Sequence, residues 1–260
     1  MKATICALIV SAGVAVGVAV FAQESFLDRL RGRSDPEPST SGNQPYDGRF
    51  VFVRLRYDTA FAGGGFRGGR ELPWAHDYPT ADVHLMKIMK ELTLLDPRVD
   101  GSNILTLDDP ALLSYPAAYM AEPGFWNPND AEVDGLRKYL LKGGFLIVDD
   151  FRGYDWENLQ DQIRRVLPEH RFVQLDASHP IFHSFFEINS LDFLTSYNGE
   201  PTYYAIFEGN DPKKRVMVIA NRDNDLGEYW EYSDTGYAPV DLSNEAYKFG
   251  VNYMMYALMH

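Results

Sequence analysis

The 260-residue chain has a single cysteine, Cys6, and it lies inside an N-terminal apolar run. If that run is removed, nothing remains to form a disulfide, a thiolate nucleophile or a thiolate metal site. Basic charge is scarce as well: 24 Lys and Arg stand against 37 Asp and Glu, a formal net charge of −13. No basic stripe exists that could follow a phosphate backbone, which excludes nucleic acid as an expected partner. A cation or a basic protein surface suits this balance better. Catalytic signatures are also missing. There is no G-x-S-x-G nucleophile elbow, no H-E-x-x-H, no G-x-x-x-x-G-K-[ST], and no G-x-G-x-x-G that opens a helix.

What is present is organised around Leu136–Gly153, LRKYLLKGGFLIVDDFRG. Leu136, Tyr139 and Leu140 share a helical face, and Gly143 can take the left-handed position that ends a helix. Phe145-Leu146-Ile147-Val148 then runs apolar without alternation, the pattern of a strand covered on both faces in a parallel sheet. Asp149 and Asp150 follow at once. In an open α/β sheet, ligands bind beyond the carboxyl ends of the strands, so this pair is the best-placed polar pair in the chain. Two readings fit it: a binding role, or caps that accept hydrogen bonds from loop amides.

Residues 5–22, ICALIVSAGVAVGVAVFA, follow Lys2 and end in small residues suited to a cut before Gln23. Residues 1–22 are expected to be a secretory signal peptide, with an uncleaved membrane anchor as the alternative. The expected setting is therefore secreted or periplasmic, with membrane contact only through this segment. Residues 23–48 read as a flexible linker, rich in Pro, Ser, Gly and acids towards their end. A single domain is expected over 49–260. Phe50–Tyr57 reads as a first, half-buried strand, and 62–69, AGGGFRGG, as a flap or plain loop. Further strands are expected at Asn103–Leu107, Ala117–Met120 and Phe172–Leu175. Helices are expected from Thr80, after Asn127-Pro128, over Trp156–Leu167 and from Ser243 to Met259. Strands alternating with helices predict βαβ units and a parallel sheet. Tyr203–Glu208 and Arg215–Asn221 predict a hairpin at the sheet edge or on its top.

Several clusters resemble ligand sets without matching one. His76, Asp77, Asp82 and His84 carry no fixed ligand spacing and are expected to be structural or exposed. Asn221–Trp230, NRDNDLGEYW, has the oxygens of a calcium loop, but its glycine is misplaced and Tyr232 stands where a glutamate is needed. His179, after a strand and a polar turn, is a candidate base, ligand or helix-start residue.

RFVFVRLRY at 49–57, YPTAD at 78–82, LRKYLLKGGFLIVDD at 136–150, HPIFHSFFEI at 179–188 and AYKFGVNYMMYALMH at 246–260 resemble, in consistent order, the bacterial family known as domain of unknown function 4159. The resemblance implies a three-layer α/β fold, flavodoxin-like and similar to class I glutamine amidotransferases, with a mostly parallel sheet between helices. Amidotransferases proper need a cysteine after the central strand. Asp149-Asp150 stands there instead, so their activity does not carry over. The resemblance also implies an envelope setting and partners such as MoxR-type ATPases and von Willebrand A-domain proteins.

The expected pocket is lined by Arg54, Tyr57, Asp149, Asp150 and His179. The expected function is a non-catalytic ligand- or partner-binding module of the cell envelope, with no cofactor required. The rival is a metal-assisted hydrolase of a carbohydrate or amide, in which Asp149, Asp150 and His179 hold a divalent metal that activates water.

Overall fold

A computed structural model describes residues 38–59, 72–192 and 200–260. The expected signal segment, the linker up to residue 37 and the glycine-rich loop 62–69 lie outside the described residues. The strands, in chain order, are β1 (Val53–Arg56), β2 (Asn103–Thr106), β3 (Ala117–Ala121), β4 (Phe145–Phe151), β5 (Val173–Gln174), β6 (Thr202–Phe207) and β7 (Val216–Arg222). They form one sheet in the order β2-β1-β3-β4-β7-β6-β5. The five strands from β2 to β7 in that order are parallel, while β6 runs antiparallel to β7 and β5 antiparallel to β6. The helices are α1 (Thr80–Leu92), α2 (Asp130–Leu141), α3 (Asp155–Val166), α4 (Leu226–Glu231) and α5 (Val240–Met259).

Alternation along the strands divides the core in two. Phe52, Tyr119, Phe145, Ile147, Tyr203 and Ile219 pack with residues of α1, α4 and α5. Val53, Leu55, Met120, Leu146, Val148 and Val218 pack with residues of α2 and α3 on the other face. This is a flavodoxin-like three-layer α/β fold, and it explains why Phe145–Val148 carries no polar position: both faces of β4 are covered.

The structure departs from the expected arrangement in four respects. The β6–β7 hairpin forms, but β7 is not at the edge; it lies between β4 and β6. Val216–Ala220 is apolar at every position and buried at every position, which suits an interior strand. The first strand is buried on both faces rather than half-buried, with Arg54 fully enclosed. Part of the expected linker is held against the sheet. The Asn43 side chain donates to Ile104 O at 2.6 Å and accepts from Ile104 N at 2.8 Å, while Gln44 N donates to Asn103 Oδ1 at 2.9 Å. An outer strand exposes unpaired amides, and a side-chain amide satisfies them as a neighbouring strand would. Helix starts differ by a turn or less. Asn129, not Asn127, caps α2 in a capping box with Glu132, and α5 begins at Val240 with Ser243 buried inside it.

Candidate functional site

Asp149 continues the β4 alternation towards α1, α4 and α5, and it is completely buried. Its Oδ1 accepts from Asn221 Nδ2 at 3.0 Å; its Oδ2 accepts from Tyr119 OH at 3.0 Å and from the amides of Leu226 and Gly227 at 2.8 and 3.1 Å. Asn221 is itself fixed by Tyr253 OH, 2.9 Å from its Oδ1. Leu226 and Gly227 open α4, whose first amides have no partner within the helix. Asp149 therefore seats α4 on the sheet and fulfils the capping role.

Burial pushes the Asp149 carboxyl up from 3.8 to about 6, against the pull of the Asn221 hydrogen bond and with the neighbouring charge of Asp150 adding to it. A carboxyl raised on folding contributes stability that is full below its unfolded value and is lost as pH rises through the folded one. Asp149→Asn, which cannot ionise, is thus expected to gain about 3 kcal/mol on the native protein between about pH 4 and about pH 7.5. Urea unfolding of the two proteins across that range checks this; a constant difference would contradict it.

Asp150 behaves differently. The β4–β7 register shifts between Val148 and Phe151, and Asp150 takes a left-handed backbone with φ 53°. That turn carries its carboxylate to His76, with Nδ1 and Oδ2 2.5 Å apart. Three more acidic residues nearby share the left-handed region: Asp77 (φ 62°), Glu122 (φ 44°) and Asp223 (φ 56°). Non-glycine residues in that region cost about 1–3 kcal/mol each and concentrate at functional sites. Here they stand in the β1–α1 loop and at the ends of β3, β4 and β7.

His76 lies among carboxylates. Glu122 Oε1 is 3.2 Å from Nδ1, and Asp77 Oδ1 is 3.9 Å from Nε2. Burial opposes charge on the ring, but the hydrogen bond it donates to Asp150 and the charges of Asp77, Asp150 and Glu122 outweigh it and push the imidazole up to about 10. The Asp77 side chain is fully buried, and neither oxygen accepts a hydrogen bond among the described residues. Its burial drives that carboxyl well above the usual range; His76 pulls it down, and Asp150 and Glu231 push it further up. Asp225 caps α4 by accepting from Glu228 N at 2.9 Å, and burial followed by the charges of Asp150, Asp77 and Asp149 raises it strongly. Arg152 Nη2 reaches Asp150 Oδ1 at 3.7 Å. Two trios offer ligand atoms within 4.8 Å of one another: His76, Asp77 and Glu228, and His76, Asp150 and Asp225.

The expected pocket residues separate. Arg54 is buried in an ion pair with Asp82 of α1 (Nη2–Oδ1 2.6 Å, Nε–Oδ2 3.2 Å) and stacks over Tyr119. Its Nη1 donates to the carbonyls of His76 and Trp74 at 2.8 and 3.2 Å, so it positions the His76 turn from beneath. The Tyr57 hydroxyl lies 2.9 and 2.7 Å from the carbonyls of Ala121 and Glu122, and it steadies the end of β3. His179 is not brought to Asp149 and Asp150. It caps the short helix Pro180–His183, accepting from Ile181 N at 3.2 Å, and its ring packs against Phe207 at 5.5 Å. Phe207 pairs with Val216, at the opposite end of β7 from Arg222. Six strand steps, roughly 20 Å, separate that position from the end of β4. The trio Asp149, Asp150 and His179 is therefore not assembled, and His76 stands where His179 was expected. His84, by contrast, is structural: its Nδ1 lies 2.9 Å from Trp230 O.

His76, Asp77, Asp225 and Glu228 are the residues that spacing did not single out. Each stood in a stretch with ligand-type side chains. Only the strand order, which sets the loops after β1, β4 and β7 against one another, brings them together.

A family model described as Domain of unknown function (DUF4159) matches residues 51–258. The chain belongs to that family. The match runs from the start of the sheet to the last turn of α5, so every residue of the site falls within it. No curated protein matches the chain.

Proposed function

We propose that this domain is a ligand-binding module of the cell envelope whose strand-end pocket takes a cationic ligand. One observation carries the reading: Asp77, Asp150 and Glu122 surround a single imidazole, and the Asp77 carboxylate is buried without a hydrogen-bond donor among the described residues. A buried carboxylate with no hydrogen-bond donor is costly, and a bound cation is a ligand that offsets that cost. The place supports it too. The chain passes from β1 to β2 on one side and to β3 on the other, and the cluster around His76 lies at the carboxyl ends beside that switch. The envelope setting rests on the N-terminal apolar run, and partners of the ATPase and von Willebrand A-domain kind rest on the family resemblance.

A metal-assisted hydrolase acting on a carbohydrate or amide is the second reading. The observation in its favour is the pair of carboxylate trios around His76. Calorimetric titration of the EDTA-treated full-length protein with Mg2+, Ca2+, Mn2+, Zn2+ and spermidine tests the cationic pocket. One-site binding of at least one of them, weakened in Asp77→Asn, is expected. Absence of binding for all five would refute the pocket.

A further inference from the structure

We propose that Nε2 of His76, Asp77 and Glu228 hold a divalent transition-metal ion, Zn2+ or Mn2+, while Asp150 fixes the ring through Nδ1. This rests on the cation-accepting pocket and names its occupant.

Asp77 Oδ1 lies 3.9 Å from His76 Nε2. That is too long for a hydrogen bond. It is the separation of two donors on one ion: with bonds of about 2.1 Å, donors stand about 3.4 Å apart in a tetrahedron and about 4.2 Å apart across an octahedron. Asp77 has no hydrogen-bond donor among the described residues to account for its burial. Glu228 completes a set whose ligand atoms lie within 4.8 Å of one another.

The Asp150 side of the ring decides between the two trios. There, Nδ1 and Asp150 Oδ2 are 2.5 Å apart. No ion fits between atoms that close, and an ionised carboxylate can only accept, so Nδ1 keeps its proton and Nε2 ligates, releasing its own proton to solvent as the ion binds. Metal-bound histidines almost always donate their other ring N–H, often to a carboxylate.

The ligand-bearing segments are also held in place. The His76 carbonyl is held by buried Arg54, and the first turn of α4, which carries Glu228, is seated by Asp149. Gly227 leaves the space Asp77 occupies, since a Cβ there would stand 2.3 Å from Asp77 Oδ2. One imidazole nitrogen with two carboxylates suits Zn2+ or Mn2+; Ca2+ and Mg2+ prefer oxygen throughout. Three protein ligands leave further positions for water or a bound molecule.

The test uses EDTA-treated full-length protein labelled with 15N-histidine. One equivalent of Zn2+ should move the Nε2 resonance of one histidine to a metal-bound position and leave its Nδ1 protonated, and His76→Gln should remove that signal. Equilibrium dialysis should give one ion per chain. Asp77→Asn should weaken Zn2+ binding by more than about 100-fold and Asp150→Asn by about 10–100-fold, while His84→Gln leaves it unchanged. Gly227→Ala keeps every ligand yet displaces the Asp77 carboxylate, so it should match Asp77→Asn. If Zn2+ binds with no histidine nitrogen shifted, or if the loss follows Asp225→Asn and not Asp77→Asn, this assignment is overturned while the cationic pocket stands. If Zn2+ and Mn2+ fail to bind while Mg2+, Ca2+ or spermidine binds, this assignment alone falls; if none of the five binds, both fall.

Discussion

Arg54→Met is expected to destabilise the domain by about 3–5 kcal/mol, the usual effect of removing one partner from a buried ion pair. The Arg54 and Asp82 side chains are both completely inaccessible, and the guanidinium meets the carboxylate through two hydrogen bonds. Without it, Asp82 keeps, among the described residues, only the Ser102 hydroxyl at 2.6 Å, and the carbonyls of Trp74 and His76 lose the Arg54 donor. The stacking over Tyr119 is lost as well. Arg54→Met combined with Asp82→Leu removes both charges and should recover most of the loss, because well-packed apolar pairs replace buried ion pairs at little cost. Urea unfolding of the four proteins checks this. A single-variant loss below about 1 kcal/mol, or a double variant worse than the sum, would contradict the role given to Arg54. The turn carrying His76 and Asp77 depends on the same guanidinium, so cation binding should weaken with stability in Arg54→Met.

Asp149→Ala is expected to cost on the order of 3–5 kcal/mol, because each buried donor left without an acceptor costs about 1–3 kcal/mol and this carboxylate serves Tyr119, Asn221 and two amides. The loss should be local as well as global. The amides of Leu226 and Gly227 should exchange with solvent faster than any others in α4, since Asp149 is their acceptor. Asp150→Ala gives the contrast. Asp150 pairs with His76 and Arg152 and serves no amide of α4, so its removal should cost stability less and cation binding more. Equal stability losses from the two neighbouring variants would contradict the division between them.

Position along the chain makes part of this legible from sequence. An unbroken apolar run followed by two acids marks the central strand and the end where a ligand would sit, and the structure has β4 there with both acids. Direction is harder to read. Arg54 lies on β1 and Tyr57 three positions later, just past its end, with opposite side-chain directions, one towards Asp82 on α1 and the other towards the end of β3. Alternation alone says that they diverge, but not that a carboxylate 28 residues away encloses the arginine. His179 follows a strand, as a site residue often does. Yet β5 is the outermost strand, and the chain after it turns back along the sheet to Phe207. His76 and Asp77 had no motif to announce them. The segment just before them, 73–75, packs against β1 and β3, and Asp225 and Glu228 arrive because β7 lies beside β4 rather than at the edge. Ligand types were visible in both stretches; their proximity is a property of strand order.

Thermal unfolding of the EDTA-treated full-length protein, with and without saturating Zn2+ or Mn2+, tests the central claim most directly. A ligand at about 100 times its Kd adds about 2.7 kcal/mol to the folded state, or roughly 5–10 °C in Tm for a domain near this size. The pocket described here predicts a rise of that size in the native protein and none in Asp77→Asn. An unchanged Tm in the native protein, or an equal rise in both, would contradict it.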